Sequence, residues 1–424
     1  MDRANKKMMV GVAVIAVIIA GGLLFKKITG SPDEQPQPST TNNGPLSFLK
    51  LPEDFVVHAF AKDLEKPRVL ILDSAGNMLV SETEKGTVLL LKDEDKDGSA
   101  ETKKTILSGL KKPHGLAVYA DDHETYLYVA ETHQVSRYRY NSTSGTVTSG
   151  SREHITSLPA DGGHFTRTIA FGPNYRTGSL VGGLGLSPIK LYISVGSSCD
   201  VCVEEATWKR AAILESDPAG TYTAEFAGGL RNSVFFAFHP KTKEIWATEM
   251  GRDNLGDNVP PDEVNIVKVA GSEHEFGARR YGWPFCYGNR IADRTFKPAV
   301  IARKDLSSDC AKTDPPVIEL PAHSAPLGLA FIPSGQGWPA KWAGDLLVAF
   351  HGSWNRTEKT GYTVVRYDLD ADGNVLSQKP DDFISGWLEG DDVLGRPVDL
   401  KFGPNGELYI SDDRAGIIYA VSPK

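Results

Sequence analysis

One pattern recurs six times along the chain and limits what it can fold into. A short apolar strand runs into a turn rich in Gly, Asp or Pro. A second apolar strand follows and ends in small or acidic residues. The copies are RVLILDSAGNMLVSET (68–83), HGLAVYADDHETYLYVAET (114–132), TIAFGPNY with KLYISVGSS (168–198), SVFFAFHPKTKEIWATEMG (233–251), GLAFIPSGQGWPAKWAGDLLVAFHGS (328–353) and DLKFGPNGELYISDD (399–413). Within each copy the apolar residues run together or alternate, as in buried strands. Strand-built repeats a few tens of residues long predict a β-propeller, and six copies give six blades. After the last copy GIIYAVSP (416–423) supplies a third strand, and DFVVHAFA (54–61) is free to supply the fourth. Joining the two ends closes the ring and removes an exposed sheet edge. The predicted fold class is therefore all-β, a six-bladed propeller closed by an N-terminal strand. An open pair of β-sandwiches is the alternative, and six similar hairpins argue against it.

The chain has 424 residues and a net charge of -8. It shows no basic stripe, so nucleic acid is not an expected partner. Met8 to Phe25 is an uncharged run of 18 residues. At about 1.5 Å per residue it barely spans a bilayer core of roughly 30 Å. Arg3, Lys6 and Lys7 precede it, which favours the N-terminus inside. With no small-x-small cleavage site before Lys26 and Lys27, an uncleaved transmembrane anchor is expected over a removed signal peptide. The predicted organisation is an anchor or signal segment (1–25), a Pro- and Ser-rich linker (26–45) and a propeller domain (46–424). That places the propeller outside the cytoplasm, periplasmic or at the cell surface. In such an oxidising setting the four cysteines are expected as disulfides, Cys199–Cys202 and Cys286–Cys310. A four-thiolate zinc site lacks a second closely spaced pair.

In a hairpin the start of the first strand lies beside the end of the second. Strand entrances and exits therefore share one mouth of the ring. The entrances read Arg68, His114, His164 with Arg167, Arg231 with Asn232, Pro326 and Arg396. The exits read Glu82, Glu131, Ser197, Glu249, His351 and Asp412. Four entrances offer Arg, and a basic cluster at a converging mouth suits a small polyanion. His164 follows two glycines in DGGHFTRTIAFGP (161–173), a bend that holds its ring at the wall of that mouth.

The segments GGHFTRTIAFGP, GGLRNSVFFAF, TEMGRDN with PPDEVNIV, YGWP and LGRPVDLKFGP, in this order, resemble the sorbosone/glucose dehydrogenase family. Its members are six-bladed quinoproteins that use pyrroloquinoline quinone (PQQ) and calcium, and the resemblance covers roughly 46–424. It implies that His164 is the general base that takes a proton from a sugar hydroxyl while hydride passes to the quinone. It implies that Arg231 and Asn232 contact the cofactor and that Arg396 pairs with a cofactor carboxylate. The main-chain carbonyls of Gly251 and Arg252 would bind calcium, with Glu263 and Asn265 supporting their loop. The sequence departs from the family in four places. Arg167 is displaced by one position, Arg252 stands where proline is common, Val398 replaces a second arginine, and HGSWNR (351–356) occupies the place of a lysine near the quinone. His351 or Arg356 is expected to substitute for that lysine, and Arg167 to join the cofactor-binding set.

The resemblance implies an oxidoreductase that oxidises an aldose or related sugar aldehyde or alcohol and passes electrons to an external acceptor. Two readings from other classes stay open. One is a calcium-dependent lactone hydrolase, with Glu82, Glu131 and Glu249 directing one ion at the axis. The other is a non-catalytic propeller that binds a glycan or a protein. DEDKDG (93–98) and DLDADG (368–373) are spaced like the start of a calcium loop, yet between strands a polar hairpin turn explains both. NST at 141 and NRT at 355 are glycosylation sequons by pattern.

Overall fold

The computed structural model describes residues 46–176, 187–270, 278–298, 301, 306 and 308–424. Six sheets, each built on four antiparallel strands, follow one another in chain order, and those of blades 2 and 3 carry a short fifth strand. Blade 1 comprises Pro67–Leu72, Met78–Glu82, Thr87–Lys92 and Thr102–Leu107. Blade 2 comprises Leu116–Ala120, Thr125–Glu131, Gln134–Asn141 and Glu153–Ser157. In blade 3, Ile169–Pro173, Ile189–Val195, Ala212–Ser216 and Thr223–Gly228 are extended by the short parallel strand Arg279–Arg280. Blade 4 comprises Phe236–Phe238, Ile245–Glu249, Asp262–Val267 and Ile318–Leu320. Blade 5 comprises Pro326–Phe331, Leu346–Phe350, Thr363–Tyr367 and Asp381–Ile384. Blade 6 comprises Pro397–Phe402, Leu408–Asp412, Ile417–Pro423 and, as its outer strand, Phe55–Ala61. The six repeats read from the sequence are the two inner strands of these blades.

The ring closes as the sequence predicts. Phe55–Ala61 pairs antiparallel with Ile417–Pro423, from Phe55 opposite Pro423 to Ala61 opposite Ile418. The inner two strands of the blades are sewn to neighbouring blades by polar side chains. Asp399 Oδ2 accepts from Leu70 N–H at 2.8 Å and joins blade 6 to blade 1. The Thr248 hydroxyl donates to Leu327 O at 2.8 Å and joins blade 4 to blade 5. Between blades the apolar faces of the middle strands interlock, for example Leu79, Leu90, Leu127 and Val129, all fully buried. These contacts hold the ring rigid, so the loops at its mouth start from fixed points.

Both predicted disulfides are present, Cys199–Cys202 and Cys286–Cys310, and a four-thiolate metal site is thereby excluded. Among the described residues no helix is long and apolar enough to cross a membrane. The predicted anchor (1–25) and almost all of the linker (26–45) lie outside the described residues. The acidic turn at 368–373 is a turn of the ordinary kind, with the Asp370 carboxylate accepting from the N–H groups of Asp372 and Asn374. In the turn at 93–98, Asp93, Asp95 and Asp97 come together with Glu101 instead of Lys104.

Candidate active site

His164 sits where the sequence places it, on the bend before the inner strand of blade 3. Gly162 takes a positive φ of 88°, and a Cβ there would fall 2.5 Å from Ser198 Cα. The bend can therefore press against residues 197–198, and Gly163 N–H donates to Ser198 O at 3.1 Å. That contact sets the imidazole. His164 Nδ1 lies 2.9 Å from the carbonyl of Ser197 and 3.0 Å from its hydroxyl. A carbonyl only accepts, so Nδ1 carries the proton and Nε2 keeps its lone pair. No described protein group donates to Nε2. Burial and the positive charge of Arg231 push the imidazole down to about 3, so it is neutral at physiological pH.

Asn232 shares this wall. Its backbone N–H donates to Glu249 Oε1 at 2.9 Å, while its side-chain carbonyl oxygen is buried without a partner among the described residues. Gly196 is the third member. A Cβ on it would meet Asn232 Oδ1 at 2.5 Å and His164 Cβ at 2.7 Å, so only glycine lets these two side chains approach each other. Nε2 and Asn232 Oδ1 are thus two neutral acceptors on one stretch of wall.

Arg231 does not face the mouth with a free donor. Its Nε donates to Asp200 O at 3.0 Å. One terminal nitrogen donates to Met250 O and Gly251 O, at 3.3 and 2.9 Å. The other donates to the carboxylates of Asp200 and Asp253, at 2.9 and 3.0 Å. All five N–H groups are used, and the side chain is 6% exposed. Arg231 therefore fastens the 250–253 loop, a role the sequence did not predict. Gly251 of that loop donates its N–H to Asp262 Oδ1 at 2.9 Å. The Arg252 side chain turns away to Asp293, at 2.7 Å. Glu263 accepts from Asn265 Nδ2 and from Gly288 N–H, so it ties its own strand to the segment at 288 rather than to the 250–253 loop.

Across the mouth, blades 5, 6 and 1 assemble a different cluster. His351 Nε2–H donates to Asp413 Oδ1 at 2.9 Å, and its Nδ1 accepts from Arg396 at 3.4 Å. Arg68 donates to the other oxygen of Asp413 at 2.5 Å. Burial raises Asp413, but His351 and Arg68 outweigh burial and hold this carboxyl well below its usual range. His351 is itself lowered by burial, with Arg396 and Arg68 adding to the effect. Arg396 also bonds Gly352 O at 3.2 Å and lies 5.1 Å from the Tyr362 ring centroid. Asp413 and Tyr362 were missed in the sequence. Asp413 is the residue after the predicted exit Asp412.

Two predicted ligands point elsewhere. Arg167 is fully buried, and its guanidinium donates to the carbonyls of Thr132, Pro159, His164 and Thr166. It clamps the bend that carries His164. Arg356 donates to Asp257 O, Ala322 O and Asn258 Oδ1, fixing a loop beyond the mouth. The exit carboxylates do not converge on the axis either. Glu82 accepts from Glu65 N–H and Thr87, Glu131 from Lys111 N–H and Gln134, and Glu249 from Asn232 N–H and Ser233. Each secures its own blade, so the ligand set required for a lactone hydrolase is not assembled. Asn355, in the second sequon, spends its amide on Asp253 Oδ1 at 3.0 Å.

The family model described as TrAA12-like matches residues 49–424. An uncharacterized protein of Borreliella burgdorferi is 29% identical over 389 residues, which cover 88% of this chain and 91% of that protein. A pyrroloquinoline quinone-dependent pyranose dehydrogenase of Coprinopsis cinerea is 25% identical over 430 residues, covering 89% of this chain and 55% of that enzyme. The match thus spans about half the length of the fungal relative. Among solved structures, a calcium structure of Trichoderma reesei carbohydrate-active enzyme family AA12 superposes with a TM-score of 0.72 at 22% identity, over 91% of this chain and 100% of that one. The holo PQQ domain of the Coprinopsis cinerea enzyme superposes with a TM-score of 0.68 at 23% identity, over 91% and 98%.

Proposed function

The chain belongs to the TrAA12-like family, and from that premise we propose that it is a PQQ-dependent sugar dehydrogenase acting outside the cytoplasm. The observation that carries this reading is the tautomer of His164. Its Nδ1–H is tied to Ser197 O, which leaves a basic Nε2 on a wall shared with the unpartnered Asn232 Oδ1. The residues fit the group. The Arg68 and Arg396 guanidiniums, with the neutral His351 ring beside Arg396, suit the carboxylates of a planar polyanion, Asn232 suits its edge, and the Arg252 carbonyl with the second lone pair of the Gly251 carbonyl, whose first accepts from Arg231, suits a hard cation such as calcium.

When bound, PQQ with a divalent ion supplies a hydride acceptor. The chain does the rest. His164 Nε2 takes the hydroxyl proton of an aldose as its C–H hydride departs, so the alcohol carbon loses two electrons and becomes a carbonyl. The Ser197 carbonyl holds the resulting imidazolium at Nδ1–H. An anion seated at the mouth raises the imidazole from its depressed value by simple charge attraction. Electrons then leave to an external acceptor, and residues 1–25 tether the enzyme to the membrane.

The test is to add PQQ and calcium to the purified protein and follow its absorption while titrating aldoses. A bound-quinone band that bleaches with sugar, together with dye reduction, is the expected result. A spectrum identical to free quinone would overturn the reading.

A further inference from the structure

The Cys199–Cys202 ring is tied by hydrogen bonds to both Ser197 and Arg231. Its residue Asp200 is a hub. The Asp200 carbonyl accepts from Arg231 Nε at 3.0 Å and from the Trp283 indole at 3.1 Å. Its Oδ1 accepts from Arg231 at 2.9 Å and from Asp253 N–H at 2.7 Å. Its Oδ2 lies 3.7 Å from Arg252 Nε. The ring is also fastened on the side of the base. Ser197, whose carbonyl sets the His164 tautomer, donates its hydroxyl to Cys199 O at 2.6 Å. One short segment therefore grips the imidazole at one end and the 250–253 loop at the other.

We propose that Asp200 is a positioning residue for the metal and quinone end of the site, and that closure of the Cys199–Cys202 ring holds it in place. This rests on the function proposed above. The physical argument is geometric. Carbonyls bind a cation only when the backbone that carries them is fixed. The 250–253 backbone is fixed through Arg231 and through the Asp253 amide, and Asp200 holds both. A three-bond reach from main chain to carboxylate is short, so Asp200 can serve both only if its own backbone is pinned. The disulfide, closing across residues 199–202, does the pinning. Opening the ring frees the loop to move and lets Arg231 follow.

The experiment uses the full chain in three variants: Asp200→Ala, Asp200→Asn and the double variant Cys199→Ser with Cys202→Ser. Calorimetric titrations with calcium and with PQQ are run beside melting of the cofactor-free protein and hydrogen exchange at the Asp253 amide. Supporting groups around metal ligands are typically worth about 10–100-fold in affinity. Asp200→Ala and the double variant should lose about that factor in calcium and quinone affinity, with faster exchange at Asp253. Asp200→Asn keeps a carbonyl acceptor, so it should hold exchange at the wild-type rate and lose less affinity. Melting of the cofactor-free variants should change little by comparison. Unchanged affinity in Asp200→Ala, or affinity losses that only follow falling melting temperatures, would overturn the proposal. If the unmodified protein binds neither calcium nor PQQ, the proposed function fails. Exchange then decides the positioning role alone: acceleration at Asp253 in Asp200→Ala upholds it, and no change ends it.

Discussion

The two sides of the mouth are built from similar residues and come out electrically opposite. On the side of blades 3 and 4, Arg231 and Arg252 are matched by Asp200, Asp253 and Asp293, and what remains unclaimed is neutral and accepting: His164 Nε2 and Asn232 Oδ1. On the side of blades 5, 6 and 1, Arg68 and a neutral His351 take Asp413, while the Arg396 guanidinium bonds only neutral groups, His351 Nδ1, Gly352 O and the Tyr362 hydroxyl, and its charge is left over. An arginine therefore has no fixed meaning at a propeller mouth. What decides is whether the neighbouring loops bring carboxylates to it. The saturated side is suited to hold a cation and to accept a proton, and the cationic side to hold an anion.

The largest effect that would test this contrast is loss of the base. General-base catalysis is typically worth about 10²–10⁴ in rate, so His164→Ala should lower turnover by that factor. Quinone binding, read by titration, should stay largely intact because the cationic side is untouched. Full sugar oxidation by the reconstituted variant would reduce His164 to a strand-entrance residue.

Next come the two arginines, whose loss should do different things. Removing Arg231 leaves Asp253 without its counter-charge and Asp200 with only Arg252 at 3.7 Å; breaking a fully buried pair costs about 3–5 kcal/mol, and the partial exposure of both carboxylates puts the loss below that. Arg231→Ala should therefore lower the denaturation midpoint of the cofactor-free protein. The Arg396 guanidinium makes only long bonds, at 3.2–3.4 Å. Arg396→Ala should cost about 1 kcal/mol or less in stability, while a lost charged hydrogen bond worth about 1.5–3 kcal/mol lowers quinone affinity roughly 10- to 150-fold. If both variants showed the same pattern, the two sides would not differ in kind.

The smallest effects lie in pH. Burial pushes Glu249 up to about 8 and Asp399 up to about 7. Both keep a proton when folded and lose it near 4 when unfolded. Their stabilisation is complete below that range and is lost as pH rises through 7–8. His164 works the other way. Its ring stays neutral when folded and charges near 6.5 when unfolded, so its share of stability is lost as pH falls from 6.5 toward 3. Below about pH 6.5 the two contributions oppose each other, so melting scans of the cofactor-free protein should show a falling midpoint from about pH 6.5 to pH 8. Glu249→Gln should reduce the protons released on unfolding by about one.

The architecture was legible because it rests on local alternation. Each hairpin declares its own strands, and closure followed from one strand left over at either end. The bend at His164 was legible for the same reason, since its glycines adjoin it. The arginines were not. The partners of Arg231, Asp200 and Asp253, lie 31 and 22 residues away in the chain, inside a disulfide ring and a loop. Arg167 stands at a strand entrance as predicted, but its guanidinium turns back beneath the bend, and no spacing encodes that rotamer. Asp413 escaped notice because turns after strands are acidic by habit. Only the approach of blades 1 and 5 makes it a shared partner.

The pairing of Phe55–Ala61 with Ile417–Pro423 also sets a clock. Chains are made at about 5–20 residues per second, so the first strand of the ring waits on the order of 20–70 s for the last. Throughout that interval one blade is incomplete, and its unpaired edge is a template for the wrong strand. A newly made chain is thus exposed for the full time of its own synthesis. Whatever accompanies it, whether translocation in an extended state or a holding chaperone, must cover Phe55–Ala61 until residue 423 arrives.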